Sequence, residues 1–154
     1  GKGKAATVAA AMELGKRYVL ESPGTEKRPI TNAGMVYRIM IPLMKGLQGE
    51  EAWVLFLNRA NYLIHKEKIS SGGLDSTTVD NRTIVRDALD LHAGNVILIH
   101  NHPSGNPRPG ISDFRVTGSL REALRQFDIT LTDHVIIADD QYYSFADETA
   151  YTAK

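Results

Sequence analysis

The 154-residue chain contains no cysteine, which excludes a disulfide framework and any thiolate-ligated metal site. That composition fits a reducing cytoplasm, and a cytoplasmic location is the expectation. No apolar run approaches the roughly 18–20 residues needed to cross a bilayer, and no signal-peptide pattern opens the chain, so no membrane partner is expected. Charge of one sign is missing too. Eighteen Lys and Arg balance eighteen Asp and Glu, so no strong field draws the whole chain to nucleic acid or an anionic surface. No serine sits on a G-x-S-x-G elbow, and neither an internal repeat nor a low-complexity tract is present. The first residue is Gly1, not Met, and the expectation is a piece of a longer or processed protein.

What remains suits one domain, large enough to bury a core without staples, with 42% hydrophobic and 23% charged residues as in ordinary globular proteins. Residues Ala5 to Leu20 are alanine-rich and predict a helix, with Lys16 and Arg17 favourably near its end. Glu21 to Pro29 reads as a linker. A helix is predicted from Ala33 to Leu47, kinked or shortened by Pro42. Trp53 to Leu57 is a short apolar run, as in a strand buried on both faces, and Tyr62 to Ile69 reads as its antiparallel partner across a turn. Gly72-Gly73 breaks the chain. A helix over Asn81 to His92, a third buried strand over Val96 to Ile99 and a helix over Asp113 to Phe127 follow. Strands over Ile129 to Ala138 and Tyr142 to Phe145, joined at Asp139-Asp140, close the chain. The order predicts an α/β or α+β sandwich with a mixed central sheet flanked by helices.

The chemistry concentrates in His100-Asn101-His102-Pro103-Ser104-Gly105-Asn106-Pro107-Arg108-Pro109-Gly110-Ile111-Ser112-Asp113. Two histidines two apart at a strand end point to one side. Imidazole nitrogens suit Zn²⁺, a carboxylate from the next element gives a third ligand, and the fourth position stays open for water. Three prolines stiffen the loop, so Asp113 can be held against the histidines with little entropy to lose. Alone, H-x-H is weak, since two such histidines can equally be satisfied by backbone carbonyls. Two imidazoles and a carboxylate also hold Fe, Co or Mn.

The pattern Glu … His-x-His-Pro … Asp resembles the JAMM motif of the MPN/JAB metalloprotease superfamily. The string HNHPSGNP, with Asp113 eleven residues after His102, resembles its RadC-like branch. The likeness runs over about Thr25 to Tyr151 and includes Glu50 to Asn58 and Asp133-His134-Val135-Ile136-Ile137. The opening Gly-Lys-Gly-Lys-Ala with Glu13-Leu14-Gly15-Lys16-Arg17 is similar to the tail of a helix-hairpin-helix region. The resemblance therefore implies an N-terminal helix over residues 1–24 and an MPN/JAB, cytidine-deaminase-like domain over 25–154. It also implies one Zn²⁺ on His100, His102 and Asp113, with Glu50 acting on the zinc-bound water to cleave a peptide or isopeptide amide. By the residues alone, Glu50 and Glu51 read more simply as the solvated start of a strand.

One position departs from the family. Gly110 stands where the motif normally has a serine, which would help to stabilise a developing oxyanion, and losing such a donor typically costs around 10²–10³ in rate. Ser104, Ser112 and His134 are the candidates for supporting the ligands from behind. Ser112 reads more simply as a helix cap, and Asp133-His134 as a buried hydrogen-bonded pair. His65 and His92 read as surface or capping residues, Trp53 as core, and Tyr142 and Tyr143 as packing on the closing hairpin. Two further readings stay open. One is a DNA-repair-associated nucleic-acid-binding module, which the upstream region and its Gly-Lys-Gly-Lys phosphate chemistry suggest. The other is a zinc-binding scaffold with little activity, which Gly110 suggests.

Overall fold

Alternation along two apolar strands decides how the layers assemble. In a strand, successive side chains face opposite ways, so a run apolar at every position must be covered on both sides. The structure, a computed structural model, describes residues 28–74 and 79–154. Its elements are α1 (Ala33–Met44), β1 (Glu51–Leu57), β2 (Leu63–Ser71), α2 (Asn81–Asp90), β3 (Asn95–Asn101), α3 (Ile111–Arg125), β4 (Thr130–Ala138), β5 (Gln141–Ser144) and β6 (Thr149–Thr152). Among the described residues the six strands form one sheet in the order β2-β1-β3-β4-β5-β6. The β3–β4 pair is parallel and every other neighbouring pair is antiparallel.

Ala52, Val54 and Phe56 of β1 and Val96 and Leu98 of β3 face one core, closed by Ile84, Val85 and Ala88 of α2 and Val116, Leu120 and Leu124 of α3. The intervening residues Trp53, Leu55, Leu57, Ile97 and Ile99 face a second core beneath Val36, Met40, Leu43 and Met44 of α1. The expected sandwich around a mixed sheet is therefore what forms. Trp53 lies in the core as expected, and its indole N–H donates to Glu51 Oε2 at 3.0 Å. Tyr143 is buried, and Tyr142 stacks between Tyr37 and Tyr151.

Local chemistry sets the ends. Asn32 caps α1 by accepting from the Met35 N–H at 2.9 Å, and the helix stops at Met44, two residues past Pro42 and short of the expected Leu47. Gly46 then takes φ +76°, open to glycine without strain. Asp80 caps α2, and exposed His92 ends it with φ 55°, a terminating role. Gly72 and Gly73 break the chain after β2 with φ of +99° and +122°. Strand β6 was not anticipated; its short polar run carries little pattern. The predicted helix over Ala5 to Leu20, the segment 1–24 and the Gly-Lys-Gly-Lys opening lie outside the described residues.

The side chains of Asp133 and His134 do not meet, and the hydrogen bond that the sequence suggested between the two residues runs through the His134 backbone. As neighbours on β4 they face opposite sides. The Asp133 carboxylate accepts from the His134 and Ala146 N–H groups at 2.7 and 3.0 Å and from Ser144 Oγ at 2.7 Å, tying the end of β5 back to β4. Replacing Asp133 with alanine leaves those donors unpartnered. We expect Asp133→Ala to lower stability by about 1–3 kcal/mol in urea unfolding, without changing the sheet order.

Candidate metal centre

The site sits where β3 runs out into the proline-rich loop. His100 follows Val96 and Leu98 on the α2/α3 side of the sheet, and His102 follows two residues on. Helix α3 starts at Ile111, with Gly110 as its N-cap, so Asp113 falls in the first turn and not at the helix start. Ser112 accordingly lies inside the helix and is exposed, not capping it. The Asp113 carboxylate folds back to accept from the Gly110 N–H at 2.7 Å, a favourable place for negative charge.

Three donor atoms converge. His100 Nε2 lies 2.9 Å from His102 Nε2 and 3.1 Å from Asp113 Oδ1, and His102 Nε2 lies 3.5 Å from Asp113 Oδ2. The His100 side chain is 1% exposed and the Asp113 side chain 7%, while 15% exposure of His102 leaves one open side. These three residues form a group able to hold a metal ion.

Hydrogen bonds fix which ring nitrogen carries each proton. Thr117 Oγ1 donates to the Asp113 carbonyl at 2.7 Å, because a carbonyl can only accept. Its hydroxyl has no second proton, so His134 Nδ1, 2.6 Å away, must donate to it. Neutral His134 then accepts at Nε2 from the His100 Nδ1–H at 2.7 Å. His102 Nδ1 likewise donates to the Asn106 carbonyl at 2.8 Å. Both Nε2 atoms thus present lone pairs to one point, beside a carboxylate. This meets the donor test for zinc: neutral imidazoles with their other N–H groups engaged, and an anionic oxygen.

Electrostatics agrees. Burial, reinforced for His134 by neighbouring His100, pushes both His100 and His134 below the usual histidine range. Burial also acts downward on His102, but the hydrogen bonds to Asp113 and the Asn106 carbonyl, with the Asp113 charge, outweigh it and raise the group. For Asp113 burial acts upward and is overcome by the facing His100 and His102 imidazoles and the Gly110 N–H, which hold the carboxyl well below its ordinary range. Without a cation, a proton on His102 relieves the facing lone pairs.

Glu50 is placed by the same alternation. It precedes β1 on the side of Ala52, whose partner across the sheet is His100, and its charge acts on both His100 and His102. Glu50 Oε2 accepts from the Leu74 N–H at 3.2 Å. Glu51 faces the other way and engages Trp53 Nε1 and, at 3.8 Å, Lys68.

Of the three supporting candidates, His134 touches His100 directly. Ser104 is exposed and accepts from the Asn106 N–H at 3.3 Å, shaping the loop that brings the Asn106 carbonyl to His102. His65 and His92 are exposed, as expected. Thr117, Asn106 and Asn101 were missed. Thr117 had a readable signal, since it lies one helical turn after Asp113 and so on the same face.

A family model described as RadC-like JAB domain matches residues 30–150. The chain is 43% identical over 150 residues to a UPF0758 protein of Porphyromonas gingivalis, covering 96% of this chain and 65% of that one. It is 40% identical over 148 residues to a UPF0758 protein of Flavobacterium johnsoniae (96% and 64%) and 38% identical over 150 residues to one of Methanosarcina mazei (96% and 64%). The chain therefore spans a little under two thirds of the length of these relatives.

Thr117→Val keeps the shape and removes the hydroxyl that sets this proton order. We expect a stability loss of about 1–3 kcal/mol from the unpartnered His134 N–H. In ¹⁵N NMR of the metal-free protein, the His100 and His134 signals should change from single tautomers to mixtures.

Proposed function

This chain belongs to the RadC-like JAB domain family, and we propose that it is a zinc-dependent hydrolase of the JAMM type, cleaving a peptide or isopeptide amide in a protein substrate. The observation that carries this reading is the convergence of two imidazole lone pairs and a carboxylate on one point, with Glu50 on the same face of the sheet. His100, His102 and Asp113 would hold the ion. The imidazole–carboxylate set favours zinc, with Fe, Co and Mn as the other ions it accommodates. When bound there, zinc lowers the pKa of water to about 7 and polarises an amide carbonyl.

The remaining work falls to the chain. Glu50 takes a proton from water as its oxygen adds to the amide carbon, then delivers it to the leaving nitrogen as the C–N bond breaks. His134 and the Asn106 carbonyl keep the two histidine rings oriented throughout. Gly110, where the motif carries serine, supplies no side-chain donor for the developing oxyanion. That one feature favours a second reading, a zinc-binding scaffold with little turnover.

Metal analysis of the purified chain should return about one zinc per chain, and the His100→Ala/His102→Ala double variant should lose it. A metal-free native protein, or unchanged zinc in the double variant, overturns the site. Against a panel of peptide and isopeptide substrates, Glu50→Gln should retain zinc and lose about 10²–10⁴ in rate. Position 110 has room for a side chain, the nearest atom to an added Cβ being Asp113 Oδ2 at 3.7 Å, and its φ of −95° suits any residue. Gly110→Ser should therefore raise turnover, by up to about 10²-fold. Zinc binding with no Glu50-dependent turnover in either the native chain or Gly110→Ser leaves the scaffold reading.

A further inference from the structure

Between the two histidines lies a residue that the site's chemistry has not used. Asn101 is 4% exposed, and both polar atoms of its side-chain amide are engaged. Nδ2 donates to the Gly49 carbonyl at 3.0 Å, and Oδ1 accepts from the Glu51 N–H at 2.7 Å. Those are the two peptide groups on either side of the Glu50 α-carbon. A carbonyl can only accept and an N–H can only donate, so the orientation of the amide is fixed by its partners.

We propose that Asn101 is a positioning residue for Glu50, holding the base in register with the histidines that flank Asn101 in the chain. The inference rests on the reading of Glu50 as the base. The β1–β3 ladder ends at Ala52 opposite His100, just where β3 turns toward the loop. One step further the Asn101 side chain stands in for a strand backbone, offering one donor and one acceptor. The Glu50 carbonyl is held separately by the Gly72 N–H at 2.8 Å, and its carboxylate by the Leu74 N–H at 3.2 Å. Through Gly49 and Glu51, the Asn101 side chain ties the backbone around Glu50 to the strand that carries His100. Aspartate at 101 would present two acceptors and repel the Gly49 carbonyl, and leucine would leave both peptide groups unpartnered. Neither can do what the amide does.

The test is Asn101→Ala in the zinc-loaded full chain, compared with the native chain and Glu50→Gln. Zinc affinity should fall by less than the roughly 10-fold typical of losing a ligand's own hydrogen-bond partner. In the variant's crystal structure the Glu50 carboxylate should have left the Leu74 N–H, and the Glu51 amide should exchange with solvent faster. kcat should drop about 10- to 100-fold with KM unchanged, since a shift near 1 Å costs that much. Adding Asn101→Ala to Glu50→Gln should cost nothing more. A Glu50 carboxylate still on the Leu74 N–H, or a rate loss that adds fully to that of Glu50→Gln, overturns the proposal. If the native chain has no Glu50-dependent turnover, the base reading fails by itself, and the crystal structure and amide exchange alone decide whether Asn101 holds Glu50. Should Asn101→Ala not fold, Asn101→Ser is judged by the same measurements, since its hydroxyl is too short to bridge both peptide groups.

Discussion

His100 is buried at the end of β3 with both ring nitrogens inside the protein, and much of the architecture answers the need to give each of them a partner. The parallel pairing of β3 with β4 is the means. It sets Leu98 opposite His134, so His134 lies diagonally across from His100 on the same face, its Nε2 within 2.7 Å of His100 Nδ1. Parallel strands also require a crossover, and here that crossover contains α3. One helix therefore delivers both the Asp113 carboxylate in front of His100 and, one turn on, the Thr117 hydroxyl behind His134. Phe145 stacks on His134 at 4.5 Å and seals the back of the cluster.

The sheet separates roles that sequence neighbours share. Glu50 and Glu51 are adjacent acids with opposite fates, because β1 turns one toward the histidines and the other toward Trp53 and Lys68. The same division holds for Asp133 and His134. Asp133 joins β5 to β4, while His134 is enclosed behind His100. Between His100 and His102, the opposite-facing residue is Asn101, which grips the chain around Glu50. A structural network on one side and a polar centre on the other thus come from the same few residues.

Much of this was legible beforehand. The apolar runs at β1 and β3 carried the doubly covered sheet, and the H-x-H-P string with a downstream aspartate marked the three converging residues. Where the reading went astray, a local rule competed with a distant partner. Ser112 had the chemistry of a cap, yet the helix starts at Ile111 with Gly110 as its cap, which contributes no side-chain acceptor. Asp133 and His134 are joined only through the His134 N–H, because strand alternation sends their side chains to opposite faces. Asn101 acts through backbone groups 50 and 52 positions away, and such bonds leave no periodic trace in a sequence.

The stretch from His100 to Asp113 has a consequence for assembly of the molecule. The three converging side chains are contributed by one short segment, whereas Glu50, just before β1, lies about fifty positions earlier. Closing the longer loop costs about 1 kcal/mol more in chain entropy, and it requires β1 to dock against β3. The His100–His102–Asp113 cluster can therefore organise as a local event, and Glu50 joins it only when the central strands zip together. Under the proposed hydrolase reading, local opening at the start of β1 would withdraw Glu50 while leaving the His100–His102–Asp113 group assembled, which separates the lifetime of a metal-loaded state from that of a competent one.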